Sequence, residues 1–201
     1  MLPVVVGVSG ASGMIYAVRL LKYLLSQDYP VELVASKAAA LVWQSEHLTS
    51  FPINPKQQAE FWRQQTQESR GKLTCHGWAD VSATIASGSF RSLGMVIIPC
   101  SMSTVAKVAH GLSSDLLERA ADVILKEDRR LVVVPRETPF SLIHLRNLTA
   151  LCEAGAKIVP AIPAWYHQPQ TIEDLVDFVV ERALEQLGVP SQLIPPWSGR
   201  Q

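Results

Sequence analysis

The sequence predicts a doubly wound α/β domain, in which a parallel sheet lies between two layers of helices. Short β-branched runs at residues 4–8, 94–99 and 130–135 contain almost no polar side chains, as strands buried on both faces do. Segments with an apolar stripe at helical spacing separate these runs. This alternation is typical of a parallel sheet that helices cover on both faces.

The elements can be placed in order from the N-terminus. The first strand leads through glycines 7, 10 and 13 into a helix over 15–25, and a strand at 31–35 precedes a helix over 37–46. Residues 52–70 are mostly polar, which predicts an irregular excursion with a short helix. The later elements are a strand at 94–99, a helix after residue 104, a helix over 116–126, a strand at 130–135, a helix over 141–153, a strand at 157–160 and a helix over 171–187. We interpret residues 1–188 as a single domain and residues 189–201 as an extended, proline-rich tail.

The composition excludes several classes of partner and location. Basic and acidic residues both total 18, and this balance disfavours nucleic acid or an anionic membrane as the main partner. No apolar stretch approaches the length of a transmembrane helix. Charged residues are only 18% of the chain, which predicts a homo-oligomer whose subunits cover part of the surface. Cys75, Cys100 and Cys152 are too few and too widely spaced for a disulfide framework, so we expect a reducing cytoplasm.

Small and hydroxylated residues follow the predicted strands, where ligands of such folds bind. They occupy positions 9–13, 36, 100–104 and 136–138. Glycines let the backbone approach an anion, and helix N-termini add free N–H groups, so this pattern predicts a phosphate site. For the first loop, an alternative is a simple β–α turn in which Ser12 caps the helix.

The glycine spacing indicates which nucleotide this site would take. Gly7, Gly10 and Gly13 do not form G-x-G-x-x-G, and Ser36 stands where a dinucleotide fold places an acid, so a mononucleotide is favoured over NAD. The chain has no G-K-[ST] sequence, which excludes a P-loop. Residues 7–11 end in alanine, which excludes a nucleophile elbow.

Charged residues form a second candidate cluster. Arg119 and Lys126 are two helical turns apart and share a helix face, although this could be a solvated face on which Asp122 pairs with Lys126. Arg136 and Glu137 directly follow a buried strand, and an acid beside bases there suits general acid–base chemistry near a phosphate. The histidines show no H-x-x-x-H pattern and no D-D-x-x-D motif occurs, which predicts chemistry without a metal.

Eight motifs occur in uninterrupted order between about residues 3 and 188. They are Gly-Val-Ser-Gly-Ala-Ser-Gly-Met-Ile-Tyr at 7–16, Ser-Lys-Ala-Ala at 36–39, Ser-Gly-Ser at 87–89, Pro-Cys-Ser-Met-Ser-Thr at 99–104, Glu-Arg-Ala-Ala-Asp at 118–122, Lys-Glu at 126–127, Pro-Arg-Glu-Thr-Pro at 135–139 and Pro-x-x-Tyr-His-x-Pro-Gln at 163–170. Together they resemble the UbiX-type flavin prenyltransferases, which are homo-oligomeric flavoproteins with a flavodoxin-like Rossmann fold. The ordered set is highly specific, whereas the glycine loop alone is weak evidence.

The resemblance implies that the chain joins the dimethylallyl group of dimethylallyl monophosphate to N5 and then C6 of reduced FMN, without a metal. Prenylated FMN would then serve a UbiD-type decarboxylase, and the family assembles into dodecamers with active sites at subunit interfaces. By the same resemblance, the residues that hold the flavin are Gly10, Ala11, Ser12, Ser36, Ser101, Met102, Ser103, Thr104 and Arg136. Those assigned to the prenyl phosphate are Tyr166 and Arg182, completed by Arg119, Lys126 and Glu137, while Glu46 matches a family acid near the flavin ring.

Two other functions stay open on the sequence. An FMN-dependent decarboxylase of a cysteine peptide, from the same superfamily, would carry a P-A-S-A-N-T-like motif where this chain has Pro-Cys-Ser-Met-Ser-Thr. A non-catalytic FMN carrier would have no use for Arg119, Lys126 and Glu137.

Overall fold

A computed structural model of the chain describes residues 1–197 and 199. Six parallel strands form the sheet at the centre of the fold. The strands are β1 (Val4–Val8), β2 (Val31–Ala35), β3 (Leu73–His76), β4 (Gly94–Cys100), β5 (Arg130–Pro135) and β6 (Lys157–Ile158). They lie in the order β3-β2-β1-β4-β5-β6, and each neighbouring pair is parallel. The predicted doubly wound α/β fold is confirmed.

Helices cover both faces of this sheet. They are α1 (Met14–Ser26), α2 (Lys37–His47), α3 (Pro55–Thr66), α4 (Met102–Ala109), α5 (Leu116–Lys126), α6 (Leu142–Glu153) and α7 (Ile172–Leu187), with a short 3₁₀ helix at Thr84–Ala86. Side chains of β1 alternate between the two cores, because Val4 and Val6 pack with α1 and α7 while Val5 packs with α4 and α5. Both faces of the sheet are therefore buried, which explains the unbroken apolar character of its central strands.

The segment at 52–70 is more regular than the sequence predicts. Its helix α3 spans 12 residues, and the unpredicted strand β3 follows it at the edge of the sheet. The ring centroid of the buried Trp43 on α2 lies 4.8 Å from that of Phe61 and 5.6 Å from that of Trp62. Phe51 joins the same group, with its ring 5.0 Å from that of Phe61. Contacts between these aromatic rings hold α3 against α2, although most of the residues in α3 are polar.

The strand order reverses between β1 and β4, which creates the crevice where ligands bind in open α/β sheets. Ser9 is fully buried at this point. Its hydroxyl donates to the carbonyl of Pro99 (3.1 Å) and accepts from the backbone N–H of Ser101 (2.7 Å). One side chain that follows β1 thus bonds to the backbone at the end of β4, across the crevice.

The described part of the proline-rich tail packs back onto the domain, where Val189 and Ile194 are buried. Residues 198, 200 and 201 of the predicted tail lie outside the described residues. Within the part of the chain that is described, no helix has the length and apolar character needed to cross a bilayer.

Candidate functional site

A cavity of about 390 Å³ opens at the crevice between β1 and β4, and five of the predicted flavin-binding residues line it. They are Gly10, Ser36, Ser101, Ser103 and Thr104. Two of these are N-cap residues: the hydroxyl of Ser36 accepts from the N–H of Ala39 at the start of α2, and that of Ser101 accepts from the N–H of Thr104 at the start of α4. Two helix N-termini and a group of hydroxyls therefore meet at one cavity, as an anion-binding site requires.

Gly10 is at a position where only glycine fits. A Cβ atom added there would lie 2.5 Å from the Cβ of Ala38 on α2. The loop after β1 consequently packs directly on the first turn of α2 and closes one side of the cavity.

The wall of the cavity also contains polar and charged residues that lie outside the predicted set. Lys107, Ser114, Asp115 and Glu118 line it. The carboxylate of Glu118 accepts hydrogen bonds from Lys107 Nζ (2.7 Å), from the backbone N–H of Ser114 (2.8 Å) and from the Ser114 hydroxyl. Burial opposes ionisation of Glu118, but these hydrogen bonds outweigh it and lower its pKa, while the same carboxylate raises the pKa of Lys107.

The helical spacing of α4 could have revealed one of these residues. Lys107 follows Ser103 by four residues and Thr104 by three, so all three lie on one helix face. Trp78 is a second omission, because it lines both this cavity and a neighbouring apolar cavity of about 410 Å³. It lies in a loop outside the periodic segments, and no sequence signal indicated its position.

Glu46 caps helix α1, and the alternative in which Ser12 is the cap is wrong. The N-cap residue is Gly13, which has no side chain and a φ of 108°. Glu46 on α2 accepts the backbone N–H of Gly13 through Oε1 (2.6 Å) and that of Met14 through Oε2 (3.0 Å). Partial burial opposes ionisation, but hydrogen bonds from Ser12, Gly13 and Met14 prevail and lower the pKa of Glu46.

Arg136 lies against the same loop, because its Nε donates to the carbonyl of Ser12 (3.1 Å). The next residue, Glu137, is half-buried and accepts the backbone N–H of Thr138 (3.1 Å). Ala11 and Met102, two more of the predicted flavin-binding residues, are buried and do not line the cavity. The structure thus brings Ser12 and Arg136 together at the crevice.

Arg119 and Lys126 form a separate group on α5. Arg119 donates through Nε to the carbonyl of Ala86 (3.3 Å) and through Nη1 to Asp122 (2.8 Å), and Lys126 Nζ pairs with Glu127 (2.7 Å). The suggested pair between Asp122 and Lys126 is therefore wrong, because each of the two residues has another partner. Across residues 1–197 and 199, no hydrogen bond or ion pair joins Arg119 or Lys126 to the residues of the crevice.

Tyr166 and Arg182 form a third group, and Phe178 connects them. The guanidinium carbon of Arg182 lies 5.6 Å from the centroid of the Phe178 ring, and the Tyr166 ring meets the same ring edge-on at 5.9 Å. Arg182 also pairs with Glu185 (2.9 Å) and lines a cavity of about 590 Å³ beside β6. The predicted site residues therefore occupy three groups on one chain: the crevice, the α5 group and the Tyr166–Arg182 group.

Comparison with known proteins identifies the family. The Flavoprotein family model matches residues 1–184. The flavin prenyltransferase UbiX of Synechocystis is 66% identical over 198 residues, which cover 98% of this chain and 96% of that protein. The UbiX of Pseudomonas aeruginosa is 46% identical over 194 residues, covering 96% and 93%. The chain belongs to the UbiX family of flavin prenyltransferases.

Solved UbiX structures agree with this placement. AnUbiX, crystallised in complex with FMN and dimethylallyl pyrophosphate, superposes with a TM-score of 0.86 at 37% identity over 99% of this chain and 98% of its own. A dodecameric FMN-dependent UbiX-like decarboxylase from Escherichia coli O157:H7 gives 0.85 at 40% identity, covering 98% and 100%. The predictions that the chain is a flavoprotein and a prenyltransferase are confirmed.

The described residues of this UbiX-family chain also bear on metal binding. Among residues 1–197 and 199, no group of three or more His, Cys, Asp and Glu side chains is arranged to hold a metal ion.

Proposed function

We propose that this chain transfers the dimethylallyl group of dimethylallyl monophosphate to N5 and then C6 of reduced FMN, without a metal ion. The observation that carries the proposal is the cavity at the crevice, where Ser36 and Ser101 present two helix N-termini beside Gly10. A phosphate monoester fits this set of hydroxyl and N–H groups. The cavity lies beyond the carboxyl ends of β1 and β4, where nucleotides bind in open α/β sheets.

In this proposal residues 1–188 act as one flavin-binding domain, in which Ser12, Arg136 and Glu46 lie toward the flavin ring. The hydrogen bond between Arg136 and the Ser12 carbonyl supports this arrangement, because it fixes a guanidinium at the mouth of the crevice. Reduced FMN, when bound, supplies the nucleophilic ring atoms. The chain's own residues orient it and exclude water from it.

The second substrate is proposed to bind where the α5 group and the Tyr166–Arg182 group supply positive charge. As the bond from carbon to phosphate oxygen breaks, negative charge accumulates on the departing phosphate. Arg119, Lys126, Arg136 and Arg182 would stabilise that charge, a role that a divalent cation has in other enzymes. Glu137 would hold or accept a proton at the phosphate or at ring closure.

The separation of the three groups on one chain supports an active site that is completed by neighbouring subunits, and we propose a dodecamer. The chain exposes 10156 Å², somewhat more than the roughly 9,300 Å² expected for a folded monomer of this mass. Large apolar side chains contribute to this exposed area, namely Leu41, Leu48, Ile53, Leu142, Ile143, Ile162 and Trp165. Where such exposed apolar side chains form a contiguous patch, they mark a surface for subunit contacts.

We further propose a reducing cytoplasm as the location and delivery of prenylated FMN to a UbiD-type decarboxylase. The location rests on the three free cysteines, and the delivery rests on membership of the family alone.

The test is anaerobic incubation of the full chain with reduced FMN and dimethylallyl monophosphate, followed by mass analysis of the flavin. The proposal predicts a flavin heavier by one dimethylallyl unit. Unmodified flavin under these conditions, together with decarboxylation of a cysteine-ended peptide, would favour the decarboxylase alternative. Unmodified flavin without any turnover would favour the FMN carrier.

A lysine variant separates binding from chemistry. Lys126 is half-exposed and, among the described residues, pairs only with the exposed Glu127, so Lys126→Ala should change the stability little. We expect this variant to bind FMN normally but to transfer the prenyl group at least tenfold more slowly. Lys22→Ala, at an exposed lysine on α1, is the matched control. Equal loss of FMN binding and transfer in Lys126→Ala would assign Lys126 to the flavin or to folding.

A further inference from the structure

We propose that Lys107 supplies a fixed positive charge to the phosphate of the bound flavin, and that Glu118 is the positioning residue that aims it. This inference deepens the proposed FMN site and rests on it. Neither residue belongs to the predicted set of site residues, and both line the cavity at the crevice.

The first argument is the position of Lys107 on α4. Ser103, Thr104 and Lys107 share the helix face that lines the cavity. A phosphate at the N-terminus of α4 would therefore contact the Thr104 and Ser103 hydroxyls with Lys107 one helical turn further along. The helix N-terminus attracts the anion, and a cation on the same face adds to that attraction.

The second argument is how the lysine is held. Glu118 is 2% exposed and accepts Lys107 Nζ at 2.7 Å, while Ser114 Oγ lies 3.3 Å from the same nitrogen. An ammonium group has three donors, so these contacts leave one for a phosphate oxygen. The carboxylate is itself fixed by the backbone N–H and the hydroxyl of Ser114. Although the Lys107 side chain is 41% exposed, these contacts hold its ammonium group at the cavity wall.

The third argument is the charge balance of the cavity wall. Lys37 and Lys107 contribute two positive charges, and Asp115 and Glu118 contribute two negative charges. Without Lys107, the buried carboxylate of Glu118 would lie close to a phosphate dianion, and Lys37 alone would supply positive charge from the lysines that line the cavity. Loss of the lysine should therefore weaken phosphate binding both by removing an attraction and by exposing a repulsion.

The experiment compares the affinities of FMN and riboflavin for flavin-free full-length chain, because the two ligands differ only in the phosphate. Lys107→Gln is expected to raise the dissociation constant for FMN by about tenfold to a hundredfold and that for riboflavin by less than about threefold. Lys107→Arg, which keeps the charge, should retain most of the FMN affinity. In the double variant Lys107→Gln/Glu118→Gln, loss of the unpaired carboxylate should restore part of what Lys107→Gln removes.

Lys22→Gln is the control for removal of an exposed lysine, and circular dichroism of each variant confirms that it folds. Equal weakening of FMN and riboflavin by Lys107→Gln, or no weakening of either, would overturn the inference. So would a double variant that binds FMN more weakly than Lys107→Gln alone. Failure of the proposed function is a different result, in which wild-type chain binds FMN but does not prenylate it.

Discussion

Glu46→Gln is expected to destabilise the fold by about 1 kcal/mol at neutral pH. The carboxylate accepts the N–H groups of Gly13 at 2.6 Å and Met14 at 3.0 Å, two donors that have no partner within α1. A side-chain cap contributes about 1 kcal/mol, and a carboxylate at a helix N-terminus adds about 0.3–1 kcal/mol. Glutamine keeps one acceptor but loses the charge and the second acceptor, and the exposure of Glu46 screens part of the effect.

The loss should depend on pH with a defined sign. The pKa of Glu46 is lower in the folded chain than its ordinary value, so the folded state favours the ionised form. The stabilisation is fully present above the unfolded value of ~4.3 and declines as the pH falls through the lower folded value. The difference between wild type and Glu46→Gln should therefore shrink as the pH is lowered below about 4.

Urea unfolding at a series of pH values measures this difference, and about 1 kcal/mol corresponds to a fall in Tm of about 2–4 °C for a chain of this size. Glu60→Gln, at an exposed glutamate of α3, is the matched control. If both variants unfold at the same urea concentration at neutral pH, Glu46 does not act as a cap. A deficit in Glu46→Gln that persists unchanged in acid would show that its charge is irrelevant.

Three further outcomes are expected. Arg19→Ala should cost about 2–3 kcal/mol in urea unfolding, because Arg19 bonds the buried Asp177 through two nitrogens, and a loss well below 1 kcal/mol would contradict the role of this pair. Burial raises the pKa of the Cys75 and Cys100 thiols to about 12, so a thiol reagent at mildly alkaline pH should modify only the exposed Cys152 in the folded chain and all three thiols in urea. Prenyl transfer should persist in EDTA, since cationic side chains are proposed to stabilise the leaving phosphate, and an absolute requirement for added Mg²⁺ would refute this.

The central strands were predictable because each is buried on both faces and reads as an unbroken apolar run, as Val4–Val8 does. Strand β3 gave no such signal, since it lies at the sheet edge and only Cys75 among its residues is buried. The sequence also did not predict the full length of α3. Its sequence is polar, and its stability comes from Phe61 and Trp62 packing on Trp43, which a local pattern does not reveal.

The candidate site also contains some residues that a local sequence pattern predicts and others that it does not. Ser36 and Ser101 were predictable because hydroxyl residues at strand ends cap the next helix, a relation confined to neighbouring residues. The bonds from Gly13 to Glu46 cross 33 residues, so no local pattern indicates that Glu46 is the cap of α1. Glu118 and Arg119 are adjacent in the Glu-Arg-Ala-Ala-Asp motif, yet successive helical residues point in different directions. Glu118 instead faces the crevice, and Arg119 lies beside the loop at Ala86.

The Ser9 hydroxyl bears on how a flavin enters the crevice. Because it bonds to the carbonyl of Pro99 and the N–H of Ser101 at once, the segments on either side cannot drift apart unless those bonds break. In the proposed FMN site, an arriving nucleotide would therefore meet two segments that are already joined, and its association would lose little conformational entropy there. At this end of the crevice, selectivity should therefore depend on the shape of the bound nucleotide and not on movement of the two segments.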